Sequence, residues 1–197
     1  MTKEHQTTVL KIKAMNYAKN LITTVRDSDK WPSFERPGFL NELDEIATEA
    51  LSKNSTEGYL ASLLIFHQLC EETIRLLLKD AQFFIQLSVF PAEIIFPEKK
   101  KLMFGQLIEE LKSTISFEGK DKFLKSCMEL NNHRIDIVHR LTKRSSLADL
   151  KAQLLKVKKL YDEIYELFDD IHDWFRLCFK DLKKDVFLDY SIDEFET

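Results

Sequence analysis

Apolar positions recur along this chain at steps of three and four, the period of one face of an α-helix. Val9, Ile12, Met15, Leu21, Ile22 and Val25 predict a first helix from about Glu4 to Arg26. Pro32 and Pro37-Gly38 then mark a loop. A short helix from Phe39 to Leu51 follows, with Leu40, Leu43, Ile46 and Ala47 on one side. Ser55 or Thr56 caps a long helix from Glu57 to Asp80, extending as far as Phe90; Leu60, Leu63, Leu64 and Leu78 give it apolar surface on much of its circumference and a central place. Pro91 and Pro97 bracket a loop, and helices from Lys100 to Ile115 and from Lys120 to Leu141 follow, parted by Gly119.

The final segment is the most regular. Leu147, Leu150, Leu154, Val157, Tyr161, Ile164, Phe168, Ile171, Phe175, Cys178 and Leu182 alternate steps of three and four. They predict a helix of ~55 Å whose seam packs in a bundle or against a partner subunit. The fold class expected is all-α, a bundle of five to six helices with a long C-terminal helix. Residues 1–54 form an N-terminal helical extension, 55–185 the bundle, and 186–197 an acidic tail.

Composition supports this reading. Four Gly and four Pro in 197 residues are too few for the frequent turns of a β-sandwich or barrel. The three cysteines are far apart and form no CxxC, so they read as small buried hydrophobes. The N-terminus lacks the apolar core of a signal peptide, and no apolar run approaches ~18 residues, so a cytoplasmic protein without a membrane span is expected. Charge is uneven: residues 93–160 carry 15 basic and 9 acidic side chains, whereas residues 161–197 carry 4 and 12. A basic middle and an acidic end suit a polyanionic partner at one place only.

Phosphate-binding loops, dinucleotide fingerprints and nucleophile elbows are absent. Asp169-x-x-His172 is half of a di-iron element, but its second half is missing, so no metal or other cofactor is expected and His172 reads as a surface histidine. The anomaly lies between Lys120 and Leu141. On a helical wheel the apolar residues there centre ~60° from Phe123; Arg134 at ~20° and Asn131 at ~80° fall inside that stripe, with His139 at its edge. A guanidinium among apolar neighbours must meet a carboxylate or open onto a polar cleft. Glu71 is the candidate carboxylate: with His67, one turn away, it shares a face with Leu60, Leu63, Leu64, Ile74 and Leu78.

The frame Asn132-His133-Arg134-Ile135-Asp136-Ile137-Val138-His139 resembles the R-x4-6-H motif of the HEPN superfamily, small all-α domains of which many are RNases. The segment Leu64–Glu71 is similar to that family's earlier central helix, and the resemblance covers roughly residues 55–185. It implies a homodimer in which two copies of the motif meet across a cleft. It implies further that Arg134 stabilises the scissile phosphate of single-stranded RNA and that His139 serves as general acid/base or positions the ribose 2′-OH. Asn131, Glu71 and His67 would support the site, and Arg140, Lys143 and Arg144 would contact phosphates. The setting implied is toxin–antitoxin or phage defence, with an antitoxin or regulatory protein as a further partner. The residue after the motif arginine, often Asn, Asp or His in the family, is Ile135 here, and the position two after the histidine is Leu141 rather than Tyr. The alternative is a non-catalytic bundle of the same type that binds nucleotide or a protein partner.

Overall fold

The computed structural model describes residues 16–97, 102–143 and 146–185, and these contain six α-helices and no strand. The first, α1, is described over residues 16–26 and is followed by a 3-10 turn, Ser28–Lys30. Then come α2 (Pro37–Ser52), α3 (Thr56–Val89), α4 (Phe104–Lys112), α5 (Lys120–His139) and, after a 3-10 turn at Leu141–Lys143, α6 (Leu147–Asp185). The part of the expected first helix before residue 16 and the acidic tail lie outside the described residues. No helix among those described is long and apolar enough to cross a membrane.

Local chemistry sets these limits. Pro37 opens α2 at a position where its missing N–H costs nothing. Asn54, at φ 50°, makes the left-handed turn after α2, and Ser55 Oγ accepts the Gly58 N–H at 3.1 Å to cap α3. Gly58 is required there: a Cβ would stand 2.2 Å from the Ala50 carbonyl oxygen. The α4 helix is shorter than the pattern predicts because Ser113 and Thr114 turn their hydroxyls back onto the Glu110 and Leu111 carbonyls. The Lys120 ammonium then closes the end of α4, donating to the carbonyls of Lys112, Thr114 and Ile115 at 2.8–3.1 Å.

The chain divides into two compact units, to both of which α3 and α6 contribute. In one, drawn from Met1–Pro32, Lys79–Lys99 and Asp173–Thr197, the α1 residues Leu21, Ile22 and Val25 are buried. There Phe179 meets the rings of both Trp31 and Phe83 edge-on, at centroid distances of 5.5 and 4.9 Å. Trp31 Nε1 donates to the Val25 carbonyl, and the Arg176 guanidinium lies over the indole.

The other unit comprises Ser33–Leu78 and Lys100–His172. Its core joins Leu63, Phe66, Leu69 and Ile74 of α3, Leu107, Ile108 and Leu111 of α4, Phe123, Cys127 and Leu130 of α5, and Leu154 to Ile171 along the α6 seam. Tyr161 Oη donates to Asp44 Oδ1 at 2.8 Å, tying α6 to α2, and Phe66 stacks on the Tyr161 ring.

Several expected faces are turned. On α2, Ala47 and Ala50 point inward, while Ile46 is half exposed. Leu64 on α3 is half exposed as well. Along α6 the buried line follows the pattern to Phe175 and then shifts to Phe179, leaving Cys178 half-buried. A straight helix of 3.6 residues per turn drifts ~20° per heptad from a 3.5-residue repeat, so a long seam must step sideways. Cys70 and Cys127 are buried free thiols, and burial pushes both thiol pKa values upward. His172 is not a plain surface residue, since its ring stacks on Phe168 at 5.5 Å.

Candidate functional site

Three helices of the second unit converge on His67. It lies on α3, 6% exposed, with its ring 4.4 Å from that of Phe104 at the start of α4. Its Nε2–H donates to Asn131 Oδ1 of α5 across 3.4 Å. Gly105 of α4 lies beside Asn131, where an added Cβ would make only an ordinary contact, 3.9 Å from Nδ2. The His67 pKa is lowered, chiefly by burial and further by the positive charge of Arg134, against opposing contributions from the Asn131 hydrogen bond and Glu71. His67, Asn131, Arg134 and Glu71 thus form one electrostatic neighbourhood.

Within it the expected pairing is replaced by another. Glu71 does not neutralise Arg134. Its carboxylate accepts from Arg75 Nη2, one turn further along α3, and that nitrogen also donates to the Leu102 carbonyl at 3.0 Å. The physical reason is proximity: Glu and Arg four residues apart on a helix meet without any tertiary arrangement. Arg75 was the residue to notice, and Glu71-x3-Arg75 was its signal.

Arg134 occupies an apolar seam all the same. Phe123, Cys127, Leu130 and Ile137 are buried, and Arg134 stands four residues after Leu130 and three before Ile137, in line with them. The buried face of α5 is centred ~50° from the stripe that the wheel predicts, because Met128, Ile135 and Val138 are 40–46% exposed. The Arg134 side chain is half-buried, and its Nε is sealed from solvent without a hydrogen-bond partner. A guanidinium in that position is charged and carries unused donors.

His139 is the last residue of α5 and is exposed. It stands five positions after Arg134, which is ~140° around the helix and ~7.5 Å along it, so the two do not share a face of one subunit. Arg140 is exposed and its Nε pairs with Asp136 Oδ1 at 3.2 Å. Lys143 is exposed at the end of the following 3-10 turn, and Arg144 lies outside the described residues. Among the described residues no group of three His, Cys, Asp or Glu side chains is arranged to hold a metal ion.

What the arrangement offers is a cation recessed in an apolar wall, an exposed imidazole at the end of the same helix, and further basic side chains beyond it. Comparison of the chain with protein-family models, curated proteins and solved structures gave no match.

Proposed function

We propose that this chain is a metal-independent endoribonuclease of the HEPN type, acting as a homodimer on single-stranded RNA. The observation that carries the reading is Arg134: a cation set in the apolar seam of α5, whose expected carboxylate is engaged by Arg75. A half-buried guanidinium with a sealed, unpartnered Nε calls for an anion, and a phosphodiester supplies two oxygens in a bidentate form that suits it.

In the reaction the ribose 2′-oxygen attacks the adjacent phosphorus as the bond to the 5′-oxygen breaks. The products are a 2′,3′-cyclic phosphate and a free 5′-hydroxyl. The nucleophile belongs to the substrate, so the protein must stabilise the phosphorane charge and move protons. Arg134 performs the first task. His139 performs the second, taking the 2′-OH proton or delivering one to the leaving oxygen. Since the two side chains diverge around α5, a working site needs a second copy to bring His139 and Arg134 to one substrate. The outward Ile135 and Val138 beside Arg134 offer apolar surface for that contact. Lys143 and Arg144 extend the phosphate contacts, and a toxin or phage-defence role under an antitoxin or regulatory partner is the setting in which such an activity belongs.

The same divergence of Arg134 and His139 also favours a second reading, a non-catalytic bundle that binds nucleotide or another partner through Arg134 alone. The test is cleavage of a labelled single-stranded RNA in EDTA by wild type, Arg134→Ala and His139→Ala, with binding followed by anisotropy. Cleavage to cyclic-phosphate ends, reduced at least ~100-fold by either substitution, is the expected result. Binding without cleavage, lost only in Arg134→Ala, would establish the second reading. An RNA neither bound nor cut would overturn the nuclease reading.

A further inference from the structure

Beside Arg134 stands the imidazole of His67, to which the proposed reaction assigns no task. The ring is buried on α3 between two neighbouring elements. Phe104 of α4 lies 4.4 Å from it, and Asn131 Oδ1 of α5 accepts from its Nε2–H across 3.4 Å. Asn131 and Arg134 are three residues apart and are therefore neighbours on α5. The guanidinium thus stands one turn from the group that holds the ring.

Among the described residues two charged groups act on His67, and they are unequally engaged. Glu71, one turn further along α3, draws a proton towards the imidazole, but its carboxylate accepts from Arg75. Arg134 repels that proton, and its effect on the ring is the larger of the two. From α4 the ring meets Phe104, which is uncharged. With Nε2–H committed to Asn131, the imidazole takes a further proton only at Nδ1. Burial and the neighbouring cation both oppose that step.

An anion seated on the guanidinium reverses this balance. It cancels the repulsion and adds an attraction of its own, so protonating the ring becomes easier. Anion binding and proton uptake are then linked, and each favours the other to the same degree. The pH range is set by the side chain: histidine is the residue whose ordinary titration lies near neutrality, and a change of about one unit in it is roughly tenfold in affinity. A phosphodiester keeps its charge throughout that range, so the dependence on pH belongs to the protein.

We infer that phosphate binding at Arg134 is coupled to His67, which takes one proton from solvent as the anion seats, so that the site binds RNA more tightly on acidification. The inference rests on Arg134 as the phosphate site. The probe is a fluorescent oligodeoxythymidylate, which has no 2′-OH and so is not cut. Its affinity is followed by anisotropy from pH 5.5 to 7.5 for the full chain as wild type, His67→Gln and Arg134→Met, each verified as folded by circular dichroism. Wild-type affinity is expected to rise roughly tenfold towards the acidic end. His67→Gln, which keeps His133 and His139, loses most of that rise. In proton NMR the imidazole signal that is missing from His67→Gln titrates at higher pH when the oligonucleotide is bound, and also in Arg134→Met without it. Equal pH dependence in wild type and His67→Gln, or a His67 titration that the oligonucleotide or Arg134→Met leaves unmoved, would overturn the coupling alone. Binding absent from wild type at every pH, or undiminished in Arg134→Met, would overturn the phosphate site and the coupling with it.

Discussion

Glu71 accepts from Arg75 on its own helix, and Arg134 of the neighbouring helix is left without that carboxylate. Removing Arg134 therefore strands no buried anion. Arg134→Met should change the free energy of unfolding by no more than about 1 kcal/mol, in either direction, where breaking a buried ion pair would cost roughly 3–5 kcal/mol. Urea denaturation of wild type and variant decides between these outcomes. A loss in the larger range would mean that Arg134 is structural and would remove the main support for an anion site.

His67 gives a pH dependence whose sign is fixed by burial. The folded protein holds the ring neutral because its pKa is lowered, so below ~6.5 the unfolded chain binds a proton that the folded one resists. The contribution of His67 is complete above that value and is lost as pH falls beneath it, with a limiting slope of ~1.4 kcal/mol per pH unit. Denaturation midpoints from pH 5 to 8 should show wild type losing stability on acidification more steeply than His67→Gln. Parallel curves would mean that the imidazole is not desolvated.

Lys120 is 6% exposed, and its ammonium donates to the carbonyls that end α4. Replacing it with Met keeps most of the volume and strands those acceptors. The expected cost is about 1–3 kcal/mol, measured by thermal unfolding, with amide exchange at Leu111–Ile115 accelerated. A variant as stable as wild type would show that water satisfies the carbonyls as well as the amine does.

The helical pattern was legible because burial on a helix leaves a period in the sequence. Thr56–Val89 and Leu147–Asp185 were predicted closely, and Ser55 was among the caps foreseen. What was not legible depended on neighbours. Ile46, Leu64, Ile135 and Val138 belong to apolar stripes, yet each lies at the margin of its helix's buried face and remains 40–50% exposed. Of the candidate residues, His67 and Asn131 do meet, across sixty-four positions of chain. They meet where α4 lays the Phe104 ring against His67, and no spacing rule announces that. The Glu71–Arg75 pair follows from the four-residue rule alone, whereas a Glu71–Arg134 pair would have needed two helices to be placed together.

The α6 seam has one more consequence. Its regular repeat has the form of a zipper half waiting for its counterpart, but Leu150, Leu154, Val157, Ile164, Phe168 and Phe175 are each 0–3% exposed within a single chain. Peeling them out to pair with another copy would forfeit ~1.5–3 kcal/mol for every large side chain. That seam is already sheathed, so any partnership the chain enters must be made on other surfaces, the exposed Leu155 and Leu177 of the same helix included.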